Sequence, residues 1–245
     1  AEVDVVRNAF LRNDIDLIFG TARFLQPNRL EVVSTNSSVE IHADQIIVAT
    51  GSRPARPDHI PFDNPGVVDS DGILTVPSIP KSLTIVGGGV IGTEYASIFA
   101  TLGVRVTLID GRKDLLEFVD EEIIEALKHR MREDGITLRL GHNVARVDFD
   151  ERNRPVAVLE TGAKISGDVL MYSIGRQGAT EHLHLEKAGI SADERGRLAV
   201  SKNYQTAVKH IYAVGDVIGQ PALASTSAEQ GRLAARHALG LDCPS

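Results

Sequence analysis

The run Gly87-Gly88-Gly89-Val90-Ile91-Gly92 places glycines at the spacing Gly-x-Gly-x-x-Gly, directly after the apolar stretch Leu83-Thr84-Ile85-Val86 and directly before an amphipathic one. Strand, glycine turn and helix in that order can bind a dinucleotide pyrophosphate, and each glycine has a separate reason to be there. Gly87 permits the tight turn, Gly89 lets backbone approach the phosphates, and Gly92 allows the helix to pack closely on the strand. The helix N-terminus adds unpaired N–H groups and a partial positive charge. A glycine turn with no ligand is the alternative, and the flanking strand and helix weigh against it.

Asp110 closes the next apolar run, about 20 residues further on, where an acidic side chain accepts hydrogen bonds from an adenosine ribose. Its bland alternative is a turn or cap aspartate. Arg112 and Lys113 follow, either as solvated loop charges or as receivers of a ribose 2′-phosphate. Repulsion between Asp110 and that phosphate predicts a preference for NAD(H) over NADP(H) of about ten- to a hundredfold, with Arg112 keeping the phosphorylated form admissible. His182 and His184 alternate as a metal pair would, but they sit in a polar loop with no Cys nearby. Zinc needs three or four converging ligands, so no metal is expected. No serine stands in a hydrolase nucleophile context.

A turn of this kind needs a parallel sheet behind it. From Ser82 the pattern is strand (83–86), helix (90–102, with Ile91, Tyr95, Ile98 and Phe99 on one side), strand (104–109), helix (121–134) and strand (136–140). A β-rich stretch from Val144 to about Glu160 follows, and Asp168–Tyr172 returns to the sheet. Strand alternating with helix predicts a parallel α/β domain at roughly 76–175. Upstream lie an opening helix, with Val3, Val6 and Phe10 at helical spacing, and β-type runs at 16–24, 29–33, 39–42 and 45–49. A proline-rich connection leads on to Asp69-Ser70-Asp71, and Pro77 and Pro80 mark a linker. Downstream, His210–Val214 is a further strand and a helix starts near Ala224.

The formal net charge of −7 argues against a nucleic-acid partner, which needs a basic face. No apolar stretch reaches the ~20 residues of a membrane span, and the first residues are too charged for a secretory signal. The one cysteine, Cys243, leaves no disulfide and no two-cysteine redox pair within these residues, so a cytoplasmic setting is expected. A start without Met inside a helical pattern, and a helix stopping just before Ser245, read as the ends of a fragment of a longer protein.

Taken together, Ala49-Thr50-Gly51, the glycine turn continuing to Glu94, Ile174-Gly175-Arg176, and Thr206 through Asp216 resemble the flavoprotein reductases with two dinucleotide domains, the group of glutathione reductase and dihydrolipoamide dehydrogenase. Within it, Gly51-Ser52-Arg53-Pro54, Asp69-Ser70-Asp71, Glu94 through Phe99 and Tyr212 through Gly219 are most similar to the branch that moves hydride between NAD(H) and NADP(H). The resemblance implies an α/β fold: a Rossmann-like NAD(P)-binding domain (76–175) inserted in a partial FAD-binding domain (1–75 and 176–245), three-layered, with a mostly parallel sheet and a β-meander. It implies FAD, NAD and NADP as cofactors, dinucleotides as partners and a homo-oligomeric parent.

By the same resemblance Asp216 accepts a hydrogen bond from the FAD ribityl chain, the Ala22 backbone touches the flavin adenine, and the helix from Ala224 points its N-terminus at the isoalloxazine. Thr50, Gly51, Gly175 and Arg176 belong to the cofactor-binding motifs. Glu94 orients the nicotinamide carboxamide, Val90 lies where nicotinamide meets flavin, and Val144 borders the adenine of NAD. Asp216 could instead be a turn residue and Val144 a core residue, while an unpaired buried carboxylate at Glu94 would be costly without a role. Gln230 stands where relatives often have glutamate and is assigned no chemistry. No second Gly-x-Gly-x-x-Gly precedes Gly87, no CxxxxC pair is present, and no dimerisation domain follows, so this chain alone is expected to bind NAD(H) without retaining flavin or turning over. A disulfide reductase of the same group, or a non-enzymatic NAD-binding module, are the other readings; Thr50-Gly51 and Gly215-Asp216 count against the module.

Overall fold

Helix α1 (Glu2–Arg12) opens residues 2–241, the part of the chain that the computed structural model describes; Cys243 lies outside the described residues. An antiparallel meander of β1 (Thr21–Gln26), β2 (Arg29–Val33) and β3 (Ser38–His42) comes next, then β4 (Ile46–Val48) and β5 (Ser52–Pro54). The run expected over 16–24 is a strand only from Thr21. Only there does the hairpin partner begin, Thr21 facing Val33, so the earlier residues have no ladder to join.

The chain divides into two compact units, residues 1–53 with 177–245, and residues 54–176. The first boundary therefore falls between Arg53 and Pro54, not between 75 and 76 as the proline linker suggested. The reason is packing. Strand β6 (Val67–Val68) adds to the parallel sheet of the second unit beside its last strand, and Ile60 and Val67 are buried in that unit's core.

The second unit continues with β7 (Ser82–Val86), α2 (Val90–Thr101), β8 (Arg105–Asp110), α3 (Glu121–Glu133) and β9 (Thr137–Leu140). Then come β10 (Val144–Phe149), β11 (Pro155–Leu159), β12 (Lys164–Ser166) and β13 (Val169–Tyr172). Its main sheet has the order β6-β13-β7-β8-β9, every neighbour parallel. Because strand side chains alternate between faces, Leu83, Ile85, Val106 and Leu108 face α2 and α3, while Val86, Ile109, Leu170 and Tyr172 face the antiparallel meander β10-β11-β12. All five residues of β11 are buried. Helices, parallel sheet and meander make three layers, and covering both faces explains why these strands read as near-continuous apolar runs.

On α2 the buried positions are Gly92, Thr93, Ala96 and Phe99, whereas Ile98 is exposed. The expected face of Ile91, Tyr95, Ile98 and Phe99 is thus rotated. The approach is closest at the start of the helix, where a Cβ on Gly92 would meet the Gly87 carbonyl, and it opens by Phe99, which reaches the core.

The chain returns through β14 (Arg176–Gly178), which pairs with β5, to β15 (Ile211–Ala213), which pairs in parallel with β4, and α4 (Ala224–Ala238). The first unit's core holds Phe24, Ile46, Val48, Ile211 and Ala213 together with Leu183, Leu198 and Val217. Among the described residues no helix is long and apolar enough to cross a membrane.

Candidate functional site

In the second unit the glycine turn joins the C-terminal end of β7 to α2, and its three key glycines are explained by different neighbours. Gly87 has φ +114°, and its N–H donates to the Ile109 carbonyl at 2.8 Å while its own carbonyl accepts from Ser173 Oγ at 3.0 Å. A Cβ on Gly92 would lie 1.8 Å from the Gly87 carbonyl oxygen, so no side chain fits. Gly89 is unlike both. Its backbone is ordinary extended chain, φ −74° and ψ −175°, and among the described residues nothing lies within 4 Å of a Cβ placed there. Neither backbone strain nor the protein's own packing asks for glycine at 89. A glycine there leaves the backbone open to close approach by a ligand, whose space any side chain would occupy. Gly89 also caps α2 and has no side chain to accept the first-turn N–H groups, which remain oriented for an anion.

Asp110 ends β8 beside this turn and is 7% exposed. Its carboxylate accepts from the Gly88 N–H, from the Arg112 N–H at 2.8 Å, and from Arg112 Nε and Nη2 at 2.9 and 2.8 Å. Burial pushes this carboxyl up, but the bonds from the Arg112 side chain, the Arg112 amide and the Gly88 amide together hold it below the usual carboxylate range. The bond to Asp110 raises the Arg112 guanidinium in turn. The sequence reading gives Asp110 to the ribose hydroxyls and Arg112 to a 2′-phosphate or to solvent; the structure joins them in a bidentate ion pair. A crevice of about 80 Å³ opens beside Asp110, lined also by Val144, Asn143, His142, His59 and Tyr172 among others. Val144 thus shares a crevice with Asp110. His59, Asn143 and Tyr172 were missed, because loops that converge at one end of a sheet leave no spacing signal in the chain.

Glu94 is exposed on α2, so the argument that a buried carboxylate there needs a function does not hold. Val90, at the first turn, is 48% exposed. Gly175, φ +86°, follows β13 at the same end of the sheet, where the Gly175 carbonyl accepts from the Ala55 N–H at 3.2 Å. Arg176 closes this unit. The Asp69-Ser70-Asp71 motif is structural. Asp69, 2% exposed, accepts from the Asp71 and Gly72 amides and from Arg56 Nε, holding the 3-10 turn Gly72–Thr75, and the Tyr95 hydroxyl donates to the Ser70 carbonyl. Burial raises the Asp69 carboxyl; those three bonds outweigh it and lower its pKa.

The first unit repeats the principle on a smaller scale. Because β4 and β15 are parallel, their C-terminal ends bring Thr50-Gly51 beside Gly215-Asp216. Ser52 Oγ donates to Asp216 at 2.9 Å, and both glycines are left-handed, φ +72° and +74°. Nothing among the described residues lies within 4 Å of a Cβ on Gly51. Gln230 has a task after all. From inside α4, 5% exposed, its Oε1 accepts the Gly215 N–H at 2.7 Å. Ala224 opens α4, behind a Leu223 N-cap with no side-chain cap bond, and Ala22 lies in β1 opposite Val32.

The glycine turn at the C-terminal end of β7, in a parallel sheet covered on both faces, defines an α/β fold of the Rossmann kind. The chain belongs to the pyridine nucleotide-disulphide oxidoreductase family, whose profile matches residues 4–231. It is 51% identical over 241 residues to the soluble pyridine nucleotide transhydrogenase of Mycobacterium tuberculosis, covering 98% of this chain and 51% of that protein. It is 46% identical over 234 residues to the one of Pseudomonas aeruginosa, covering 95% and 50%. Among solved structures, the HOCl-induced flavoprotein disulfide reductase RclA from Escherichia coli superposes with a TM-score of 0.88 at 34% identity, covering 99% of this chain and 56% of that one. LpdA from Mycobacterium tuberculosis superposes with a TM-score of 0.90 at 27% identity, covering 98% and 54%. The chain spans about half the length of the curated relatives it matches.

Proposed function

We propose that this chain supplies the nicotinamide-dinucleotide site, and part of the flavin site, of an FAD-dependent enzyme that moves hydride between NAD(H) and NADP(H). The observation that carries it is Gly89, a glycine at the start of α2 that neither a positive φ nor neighbouring protein atoms require and that leaves open space for a ligand against its backbone. In this reading the Gly87–Gly92 turn and the start of α2 hold the pyrophosphate, the Asp110–Arg112 pair meets the adenosine ribose, and Val144 borders the adenine. Val90 and Glu94 lie along the nicotinamide end, Glu94 orienting the carboxamide.

Residues Thr50, Gly51, Asp216, Ala22 and the start of α4 would hold FAD. The left-handed, open Gly51 and the Asp216 carboxylate beside it fit such a group. When bound, FAD supplies a hydride carrier that can serve both nicotinamides. The α4 N-terminus would favour the negative charge of the reduced form. The higher identity to the transhydrogenases than to the disulfide reductase supports the hydride-exchange reading. A cytoplasmic homo-oligomer acting on small dinucleotides completes the reading.

The test, run on the whole enzyme to which this chain is proposed to contribute, is reduction of thio-NAD+ by NADPH with FAD supplied, alongside reduction of lipoamide and glutathione disulfide. Exchange between nicotinamides with no disulfide turnover is expected. Disulfide turnover without exchange moves the protein to the disulfide reductases, and nucleotide binding with neither activity leaves a binding module.

A further inference from the structure

Three residues of α3 are buried, Ile124, Lys128 and Met131, at the spacing of one helical stripe. Ile124 and Met131 join the core between the helices and the sheet. Lys128, 6% exposed, occupies the middle of that stripe. Replacing a buried ion pair by apolar side chains of similar volume is often neutral or stabilising, so folding alone does not account for a lysine there. Its ammonium donates to Asp114 at 2.5 Å and pairs with Glu125, and these bonds hold it above the usual lysine range against the cost of burial. Glu125 is three residues away on the same helix. Asp114 is in the connection from β8 to α3, which the ion pair ties to the helix.

Beside Asp114 stands Leu115, fully buried, and it reaches the glycine turn. A Cβ on Gly88 would lie 2.6 Å from Leu115 Cδ2, so this leucine fills the space on which the middle of the turn rests. Leu116 follows at φ +45°, a left-handed conformation that a leucine keeps only where its loop is held. We propose that Lys128 is a positioning residue for the dinucleotide turn: by pinning Asp114 to α3 it seats Leu115 against Gly88 and keeps the turn in shape for a pyrophosphate. This role rests on the dinucleotide reading of the Gly87–Gly92 turn and extends it to what braces that turn from behind. Because the pyrophosphate is common to both cofactors, Lys128 acts on NAD(H) and NADP(H) alike.

The test is calorimetric titration of NAD+ and NADP+ into the whole enzyme to which this chain is proposed to contribute, as wild type, K128M, D114A, E125Q and the K128M/D114A double variant. K128M keeps the stem and removes the charge, so both nucleotides should weaken by about five- to thirtyfold while the urea midpoint holds or rises. D114A cuts the same tie from the loop side and leaves α3 untouched, so it carries the test if K128M does not fold. It should weaken both nucleotides to the same extent, and the double variant should add nothing, as expected of directly coupled groups. E125Q leaves the tie in place and should keep both constants within about twofold of wild type. Without nucleotide, the amides of Gly87 to Gly92 should take up deuterium at least about fivefold faster in K128M, a local loosening that a change in the scaffold alone would not confine to the turn. Unchanged constants, or affinity lost only together with the urea midpoint, would make Lys128 part of the scaffold and overturn the proposal. So would an equal loss in E125Q, which traces the effect to charge balance around the ammonium. If the wild-type enzyme binds neither nucleotide while the turn still loosens in K128M, the dinucleotide reading fails and the mechanical link between Lys128 and the turn stands.

Discussion

Helices α2 and α3 pack side by side on one face of the same parallel sheet, through Ala96 and Phe99 on one and Ile124 and Met131 on the other. Their N-termini are finished in opposite ways. At α3 the Asp120 carboxylate accepts the Glu122 N–H at 3.0 Å, Glu121 and Glu122 place negative charge in the first turn, and Arg130 and Arg132 close the last one. Each of these choices stabilises an isolated helix. At α2 the cap is Gly89, and the first turn holds no acidic residue. A helix that only had to fold would be finished like α3. The one that starts at the glycine turn forgoes roughly a few tenths of a kcal/mol of side-chain capping, together with the acidic first turn, and keeps its amides available.

Three substitutions break or sharpen that contrast. The largest effect is expected from Gly92→Ala, because its methyl would stand 1.8 Å from the Gly87 carbonyl oxygen. Relief requires α2 to move off the sheet, so the unfolding free energy should fall by about 3 kcal/mol or more, read by urea denaturation. Gly89→Asp comes next, with opposite signs on two axes. An aspartate there is an N-cap in a permitted extended conformation, so stability should rise by about 0.5–1 kcal/mol. Its charge sits where a pyrophosphate would, so NAD+ affinity should drop by at least about tenfold. A variant that lost both stability and binding would show Gly89 to be a folding glycine. The smallest effect belongs to Asp120→Ala, which should cost about 1 kcal/mol of stability and leave the NAD+ dissociation constant as it was. A change in that constant would mean the two helix ends are not separate in function.

Much of this was legible before any coordinates. The turn at Gly87–Gly92 could be read because its chemistry is local: strand, glycines and helix are contiguous, and each glycine's role depends on neighbours a few residues away. The ends of α3 were visible for the same reason. What escaped notice was set by approach in space. Which side of α2 is buried depends on how near the sheet lies, and that distance selected Gly92 and Ala96 over Ile98. Residues 54–75 read as a proline-rich connection within the segment 1–75, yet the pairing of Val67 and Val68 with Leu170 and Met171 binds them to the second unit. Arg112 could not be assigned from its spacing, since i and i+2 leave a side chain free to point either way. Gln230 was set aside for lacking the charge of its counterparts, when an uncharged acceptor is what the Gly215 amide receives.

That last contact gives the molecule a built-in clock. The Gly215 amide sits in a left-handed turn with its proton held by a side chain from α4, so deuterium can replace it only when Gln230 lets go. Its exchange rate then reports how often α4 lifts from the turn, and Gln230→Ala should convert this slowly exchanging site into one that labels at the pace of an open loop.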